Sequence, residues 1–435
     1  MTVQAQVPVK SNARRIAVIG AGISGMGAAH MLAPDHQVTL YESGARLGGH
    51  ARTVMAGKNG DQPVDTGFIV FNYANYPHLA ALFKELDVPV VPSNMSFGAS
   101  FDNGRLEYAL TSLNAMFAQR RNLVNPRFLG MLRDIVKFNK NALILAEDKT
   151  LSLGEFLAKL GTGDYFRDHY LLPFSGAIWS TPLDKIMDFP AHALIRFFEN
   201  HALLGYSGQH QWYTVQGGSI SYVNRLEAAL RGNGVDIRLN AAIHGVRRDA
   251  QGVEVKTQGG DWERFDEVVM ATHSDDSLAM LADPSEDEQR ALGAVAYQPN
   301  NIVLHADTSI MPKRRATWAS WVYTEDANAK SDRIDLTYWM NSLQPIPDND
   351  PHFVTLNTKR TIREELIYDQ VTLRHPVYDL AALDAQVAVR GMNGSNNTWF
   401  CGAWMRHGFH EDGLASAVDV VAGIKAKRPK AMAAE

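Results

Sequence analysis

Arg15-Ile16-Ala17-Val18-Ile19-Gly20-Ala21-Gly22-Ile23-Ser24-Gly25 decides how this chain folds. After its arginine the stretch is a short apolar run rich in β-branched residues and bounded by glycine, the pattern of a strand buried on both faces. Met26-Gly27-Ala28-Ala29-His30-Met31-Leu32 follows with helical apolar spacing, and Gln37-Val38-Thr39-Leu40-Tyr41 reads as a second strand ending at Glu42. A G-x-G-x-x-G between strand and helix, with an acid about 20 residues on, is a dinucleotide-binding pattern. Each position has a physical reason. Gly20 permits the tight turn, Gly22 lets the backbone approach a pyrophosphate, and Gly25 allows close helix–strand packing. The helix start at Ile23 and Ser24 presents N–H groups and the positive end of the helix dipole to phosphates. Glu42 accepts hydrogen bonds from an adenosine ribose and would repel a 2′-phosphate. The motif alone leaves NAD and FAD both open.

The next segment separates them. Ser43-Gly44-Ala45-Arg46-Leu47-Gly48-Gly49-His50-Ala51-Arg52-Thr53, followed by Val64-Asp65-Thr66-Gly67-Phe68, resembles the R-x-G-G and D-x-G motifs of the flavin amine oxidase, protoporphyrinogen oxidase and phytoene desaturase superfamily. The resemblance implies an α/β fold: a Rossmann-type, glutathione-reductase-like FAD-binding domain with an inserted α+β substrate domain. It implies FAD held without a covalent bond. Ser43, Arg46, Gly48, Gly49 and His50 would lie along the diphosphate, and Asp65, Gly67 and Phe68 near the flavin ring.

Later segments return to the same domain. Residues 235–239, 242–246, 252–256 and 265–272 read as strands. In the superfamily this order supplies backbone contacts to the adenine around Val246, with Ala271 in a strand below the diphosphate. Thr398-Trp399-Phe400-Cys401-Gly402-Ala403 reads as a strand ending in glycine, and Gly408 to Ala417 opens a helix running to about Lys425. This resembles the last FAD motif, in which Gly402, Ala403, Glu411, Asp412, Gly413 and Leu414 border the cofactor and a helix N-terminus faces the flavin N1–C2=O edge. A reduced flavin carries negative charge there, which backbone N–H groups and a helix dipole stabilise. Ala403 stands where the superfamily carries an acid for the ribityl chain, so Glu411, Asp412 or water takes that contact. The expected division is 14–80, 205–275 and 395–425 for the FAD domain, 85–200 and 280–390 for the substrate domain, and a flexible tail over 426–435.

Composition sets outer limits. A chain of 435 residues exceeds one ordinary core, and 46% apolar with 20% charged residues suits a globular enzyme. A net charge of −5 argues against nucleic acid as a partner. The single cysteine, Cys401, provides no internal disulfide and fits a reducing compartment. Residues 1–15 carry Lys10, Arg14 and Arg15 without an apolar core, and no run of 18 apolar residues occurs. The expected location is cytoplasmic, with any membrane contact peripheral.

No nucleophile triad or H-E-x-x-H spacing is present in the sequence, and His410-Glu411-Asp412 lies within a flavin motif, so no metal is expected. The flavin carries the hard chemistry and the protein supplies a pocket. Candidates for the pocket are Gln211, Trp212 and Tyr213, just before the Gly217-Gly218 turn, then Tyr338 and Asn341; Trp179, Trp318 and Trp321 belong to similar clusters. No catalytic base is assigned. Residues 110–146 are helical in pattern, and between 118 and 140 Arg120, Arg121, Arg127, Arg133, Lys137 and Lys140 face only Asp134. Basic charge interleaved with apolar residues suits an anionic membrane surface, while an ordinary solvated basic face gives the same pattern.

Ala177-Ile178-Trp179-Ser180, Leu304-His305-Ala306-Asp307 with Met311-Pro312, and Gly408-Phe409-His410-Glu411-Asp412-Gly413 resemble a bacterial subgroup of the superfamily found with cyclopropane-type fatty acyl methyltransferases. That subgroup includes desaturases of methyl-branched acyl chains in furan fatty acid synthesis, which implies a lipid acyl substrate, free or phospholipid-bound; on this leading reading a hydride goes to flavin N5, with O2 one candidate electron acceptor. Two other readings stay open: an amine oxidase making an imine and hydrogen peroxide, and a flavin-binding redox or light sensor.

Overall fold

Residues 13–179, 186–205, 209–325 and 333–427 are described by the computed structural model. At its centre lies a five-stranded sheet in the order Asp236–Arg238, Gln37–Tyr41, Arg15–Ile19, Glu267–Met270, Thr398–Phe400, every neighbour parallel. The first strand sits in the middle because its side chains are apolar on both faces. Ile16 and Val18 pack with the helices Ile23–Leu32, Ile220–Gly232 and His410–Ala426, while Ala17 and Ile19 pack on the opposite side. That opposite side is covered by the antiparallel meander of Ile243–Asp249, Gly252–Thr257 and Trp262–Phe265 and by the helices Glu286–Gly293 and Leu380–Met392.

A second, seven-stranded sheet runs Ile367–Val377, Ala296–His305, Phe353–Leu356, Asp335–Trp339, Trp321–Glu325, Phe97–Phe101, Leu106–Ala109. Only Trp321–Glu325 with Phe97–Phe101 is parallel in it. Helices Pro126–Leu145, Leu153–Leu160, Leu172–Trp179 and Ala191–Asn200 share one apolar core with it. A three-stranded sheet of Val70–Phe71, Trp212–Val215 and Val90–Ser93 lies where the chain passes between the two units.

Core packing draws the division differently from the expected boundaries. Leu82, Phe83 and Val88 join the core of the parallel sheet, so the first FAD-side segment extends past 80. Leu281, Ala291, Leu292, Ala382 and Val389 do the same on its other face, so 280–295 and 380–392 stand with the FAD side too. The 110–146 segment is three pieces: a short helix Leu113–Met116, a 3-10 turn Arg120–Val124, and the long helix Pro126–Leu145. Asn125 accepts from the Arg127 and Phe128 N–H groups and Pro126 takes the first helical position, so a new helix has to start there. The last helix ends at Ala426. Ser180, the Trp179 side chain, Lys10 and most of the expected tail lie outside the described residues. Among the described residues, no helix is long and apolar enough to cross a membrane.

Candidate cofactor site

The first strand leads into Gly20, whose φ of +99° is open to glycine and strained for other residues. A Cβ on Gly25 would fall 1.8 Å from the Gly20 carbonyl oxygen, so the helix start can press onto the strand only as glycine. Gly22 is different: a Cβ there meets nothing within 4 Å. It faces open space, bordered by Gly49, whose own Cβ would sit 3.0 Å from the Gly22 Cα. The helix that follows has neither a side-chain cap nor an acid in its first turn. An open slot walled by glycine backbone at an uncapped helix N-terminus fits a diphosphate.

The surrounding groups hold this slot in shape. Glu42 accepts from the Ala21 N–H at 2.9 Å through one oxygen and from the Gly44 N–H at 2.8 Å through the other. Each carboxylate oxygen keeps capacity for a further donor such as a ribose hydroxyl. Ser43 lies beside it, with its hydroxyl 3.3 Å from the same carboxylate. Arg46 sends its hydrogen bonds to the Leu47, Gly49 and Ala51 carbonyls, so it braces the Gly48-Gly49 turn from behind. Gly67 passes so close to the His50 carbonyl that a Cβ would lie 2.0 Å from it, and the Phe68 N–H donates to that carbonyl at 2.9 Å. Ala271 follows the neighbouring strand, and its Cβ lies 3.2 Å from where a Gly25 Cβ would stand. The C-terminal motif closes the group: a Cβ on Gly413 would meet Ser24 Oγ at 2.8 Å and Ile23 at 3.0 Å, and Leu414 fills the space over Gly27. Ser416 accepts from the Gly402 N–H at 2.9 Å, fixing the turn into Ala403.

Polar groups at four of the expected contacts have partners within the protein. Both oxygens of Asp65 are taken up by the Thr53 hydroxyl, the Ser219 N–H and hydroxyl, and the Gln344 amide, so its carboxylate is a buried brace. Glu411 caps the helix Pro77–Glu85 by accepting from the His78 and Leu79 N–H groups, both at 2.9 Å. Asp412 accepts from the His407 and Phe409 N–H groups and holds its own turn. Both acids are buried near Ala403, Glu411 engaged through both oxygens and Asp412 through Oδ2 alone. Val246 is wholly buried, and its carbonyl is taken by the Ala282 N–H at 2.8 Å. Burial raises Asp65 and Asp412 to about 6, because their charged forms are poorly solvated.

Four histidines line the same region: His50 and His410 belong to the motifs, whereas His273 and His375 do not. His50 has its ring 5.9 Å from that of His273 and 5.6 Å from that of His375. His273, directly after the Ala271-Thr272 strand end, stacks on Tyr297 at 4.3 Å. His375 comes from the edge strand of the second sheet and meets the Asn300 amide at 3.1 Å. His410 stacks on Phe68 at 4.0 Å and shares a 2.5 Å hydrogen bond with the Tyr222 hydroxyl. Burial lowers all four, holding His273, His375 and His410 at about 3, so these rings are neutral. His273, Asp275 and Asp276 offer ligand atoms within 4.8 Å of one another, but Arg374 pairs with both carboxylates.

The pocket candidates divide. Gln211 is exposed and its amide bonds the Ser93 and Trp212 carbonyls, and Asn341 bonds the Pro347 and Asp350 carbonyls and the His352 N–H; both shape loops. Trp318 packs on Trp339 with Arg315 against both rings, a structural cluster. Tyr338 lies half-buried against Trp321 on the second core. Trp212 and Tyr213 join an aromatic wall with Tyr76, Phe71 and Tyr73. That wall continues through Phe409, 5.2 Å from Phe197 and 5.8 Å from His201, up to His410 at the start of the last helix. Burial holds His201 at about 4, so it too is neutral.

The pattern describing flavin containing amine oxidoreductases matches residues 23–357 of this chain. An L-amino-acid oxidase of Pseudechis australis is 47% identical over 51 residues, which is 12% of this chain and 10% of that protein. The chain thus spans about a tenth of the length of the curated relatives it matches. A CLA-producing fatty acid isomerase from P. acnes superposes with a TM-score of 0.69 at 17% identity, over 96% of this chain and 99% of the other. Wild-type putrescine oxidase bound to putrescine superposes with a TM-score of 0.67 at 14% identity, over 95% and 99%.

Proposed function

This chain belongs to the flavin containing amine oxidoreductases, and on that premise we propose that it is an FAD-dependent dehydrogenase that desaturates a methyl-branched unsaturated fatty acyl chain, free or within a phospholipid. FAD, held without a covalent bond, supplies the acceptor for a hydride. The fold itself does not choose a substrate, since a fatty acid isomerase and putrescine oxidase share it.

The observation that carries the acyl reading is the neutral aromatic wall beside the last helix. Phe68 with the uncharged His410 ring, and Phe409 with Phe197, Trp212 and the uncharged His201 ring, form two apolar ring clusters joined through the adjacent residues 409 and 410. Of the two acids next to it, Glu411 is held by backbone N–H groups through both oxygens and is poorly placed to pair with a substrate ammonium, while Asp412 is held through Oδ2. Such a wall holds an acyl chain by area and excludes water, at roughly 25 cal/mol per Å² of apolar surface removed from water. The same rings also suit the aromatic cage of a neutral amine, and an amine oxidase is the second reading.

Anaerobic mixing separates the two. Bleaching of the flavin by a methylated unsaturated phospholipid, with slow or no bleaching by mono- and diamines, is the expected result. Bleaching by an amine alone, with hydrogen peroxide formed on admitting air, would replace the acyl reading with the amine oxidase.

A further inference from the structure

The long helix Pro126–Leu145 buries Phe128, Met131, Ile135, Phe138 and Ala142 against the second core. Its other face carries Leu129, Arg133, Val136, Lys137, Lys140, Leu143 and Ile144, all exposed. Residues 129, 133, 136, 140 and 143–144 fall on one stripe of a helix, so apolar and basic side chains alternate along a single line. The exposure is large where it should be least: Val136 is 52% exposed and Ile144 69%. The 3-10 turn that leads into the helix adds Val124 at 81% and Leu123 at 50%, with Arg120, Arg121 and Arg127 exposed around them. The one acid of the helix, Asp134, is buried and accepts from the Gly163 N–H.

A chain of net charge −5 therefore carries a local surface of opposite sign, studded with large apolar side chains. Protein–protein interface cores are depleted of lysine, whereas helices lying in a membrane interface combine lysine and arginine with aliphatic residues whose long stems spread along the boundary. We propose that this face, the helix Pro126–Leu145 with the turn Arg120–Val124, docks the enzyme on an anionic lipid bilayer. The aliphatic side chains enter the headgroup boundary and the cations meet lipid phosphates. The inference stands on the surface itself and does not depend on the substrate.

The FAD-loaded protein is spun with vesicles of phosphatidylcholine alone and of phosphatidylcholine mixed with phosphatidylglycerol. It should sediment with the mixed vesicles, and added salt should release it, because exposed charges are screened beyond about 8 Å at physiological ionic strength. Arg127→Ala with Lys140→Ala should weaken this binding about thirtyfold, at roughly fivefold per cation. Val136→Glu with Ile144→Glu should abolish it, with FAD content and melting temperature unchanged because all four side chains are exposed. Wild-type protein left in the supernatant with anionic vesicles overturns the proposal. Binding that survives both double variants overturns it too, as does a wild-type dimer dispersed by the glutamate variant, which would assign the face to a second copy. Turnover of detergent-dispersed substrate should be the same in all forms, so a failed vesicle test is distinct from a failed substrate assignment.

Discussion

Glu42 does two jobs with one carboxylate. It ties the Ala21 and Gly44 N–H groups together and leaves acceptor capacity for a ribose. Glu42→Ala should lower FAD affinity roughly 10- to 150-fold, the worth of a charge-assisted hydrogen bond at about 1.5–3 kcal/mol. Flavin fluorescence titration measures it, and an affinity within about twofold of wild type would place the ribose acceptor elsewhere. The buried histidines give the apoprotein a pH signature. Unfolded histidine titrates near 6.5, whereas burial holds His273, His375 and His410 at about 3. They are neutral in the fold and gain protons only on unfolding, so stability is full above pH 6.5 and is lost as pH falls below it. The loss approaches about 1.4 kcal/mol per histidine for each pH unit, less where water reaches the ring. Asp65 and Asp412, raised to about 6, act with the opposite sign below that pH, since the fold then holds their protons more tightly than the unfolded chain does. Histidines outnumber these acids, so the melting temperature should drop from pH 7 to pH 5, and His273→Gln should flatten the drop. An unchanged slope in that variant would mean that the His273 ring is solvated.

At the level of elements, the glycine loop and its helix separate binding from folding within four residues. Gly22→Ala adds a methyl group that meets no protein atom within 4 Å but stands in the slot assigned to the diphosphate. FAD affinity should fall at least tenfold while the apoprotein melts as wild type does. Gly25→Ala drives its methyl group to 1.8 Å from the Gly20 carbonyl, so the helix must lift from the strand. Overpacking of this kind costs about 1–3 kcal/mol or more, and the apoprotein's melting temperature should fall. Calorimetry of the two apoproteins checks the pair: equal melting temperatures would remove the distinction between an open slot and a packed contact.

Across the whole molecule, a few polar contacts join the FAD side to the second sheet. Asp65 links Thr53 and Ser219 to Gln344, Arg52 pairs bidentately with Asp369, and Arg374 on the edge strand reaches Asp275 and Asp276. Asp65→Ala leaves several buried donors without an acceptor and should destabilise the protein by about 3 kcal/mol or more, since each orphan costs about 1–3 kcal/mol. Asp65→Asn keeps the shape and one acceptor and should lose clearly less. Denaturant unfolding of both tests this, and equal losses would show that the carboxylate is not the joint.

How far the sequence reaches follows from what local patterning can encode. The strand Arg15–Ile19, the glycine turn, the strands 37–41 and 267–270 that flank it, and the last helix are all legible, because a doubly buried strand and a glycine-forced turn are dictated by residues a few positions apart. The resemblance drawn from Arg46 to Phe68 led to the same superfamily as the match over 23–357. Partners of side chains were not legible. Asp65 and Glu411 look like binding groups in a motif and Asn341 like a pocket group, yet their hydrogen bonds go to Gln344, to the helix at Pro77 and to the 347–352 loop. His273 could have been suspected, since ligands gather at the carboxyl ends of parallel strands and it directly follows one. His375 could not: it arrives from an edge strand of the other sheet, and only folding sets its ring beside His50. Sequence alone determined the cofactor-binding framework, since that framework is written in backbone-permissive glycines and buried strands. Tertiary structure decided which charged and polar side chains are consumed as braces and which surface stays apolar and exposed, because burial and pairing depend on segments hundreds of residues apart.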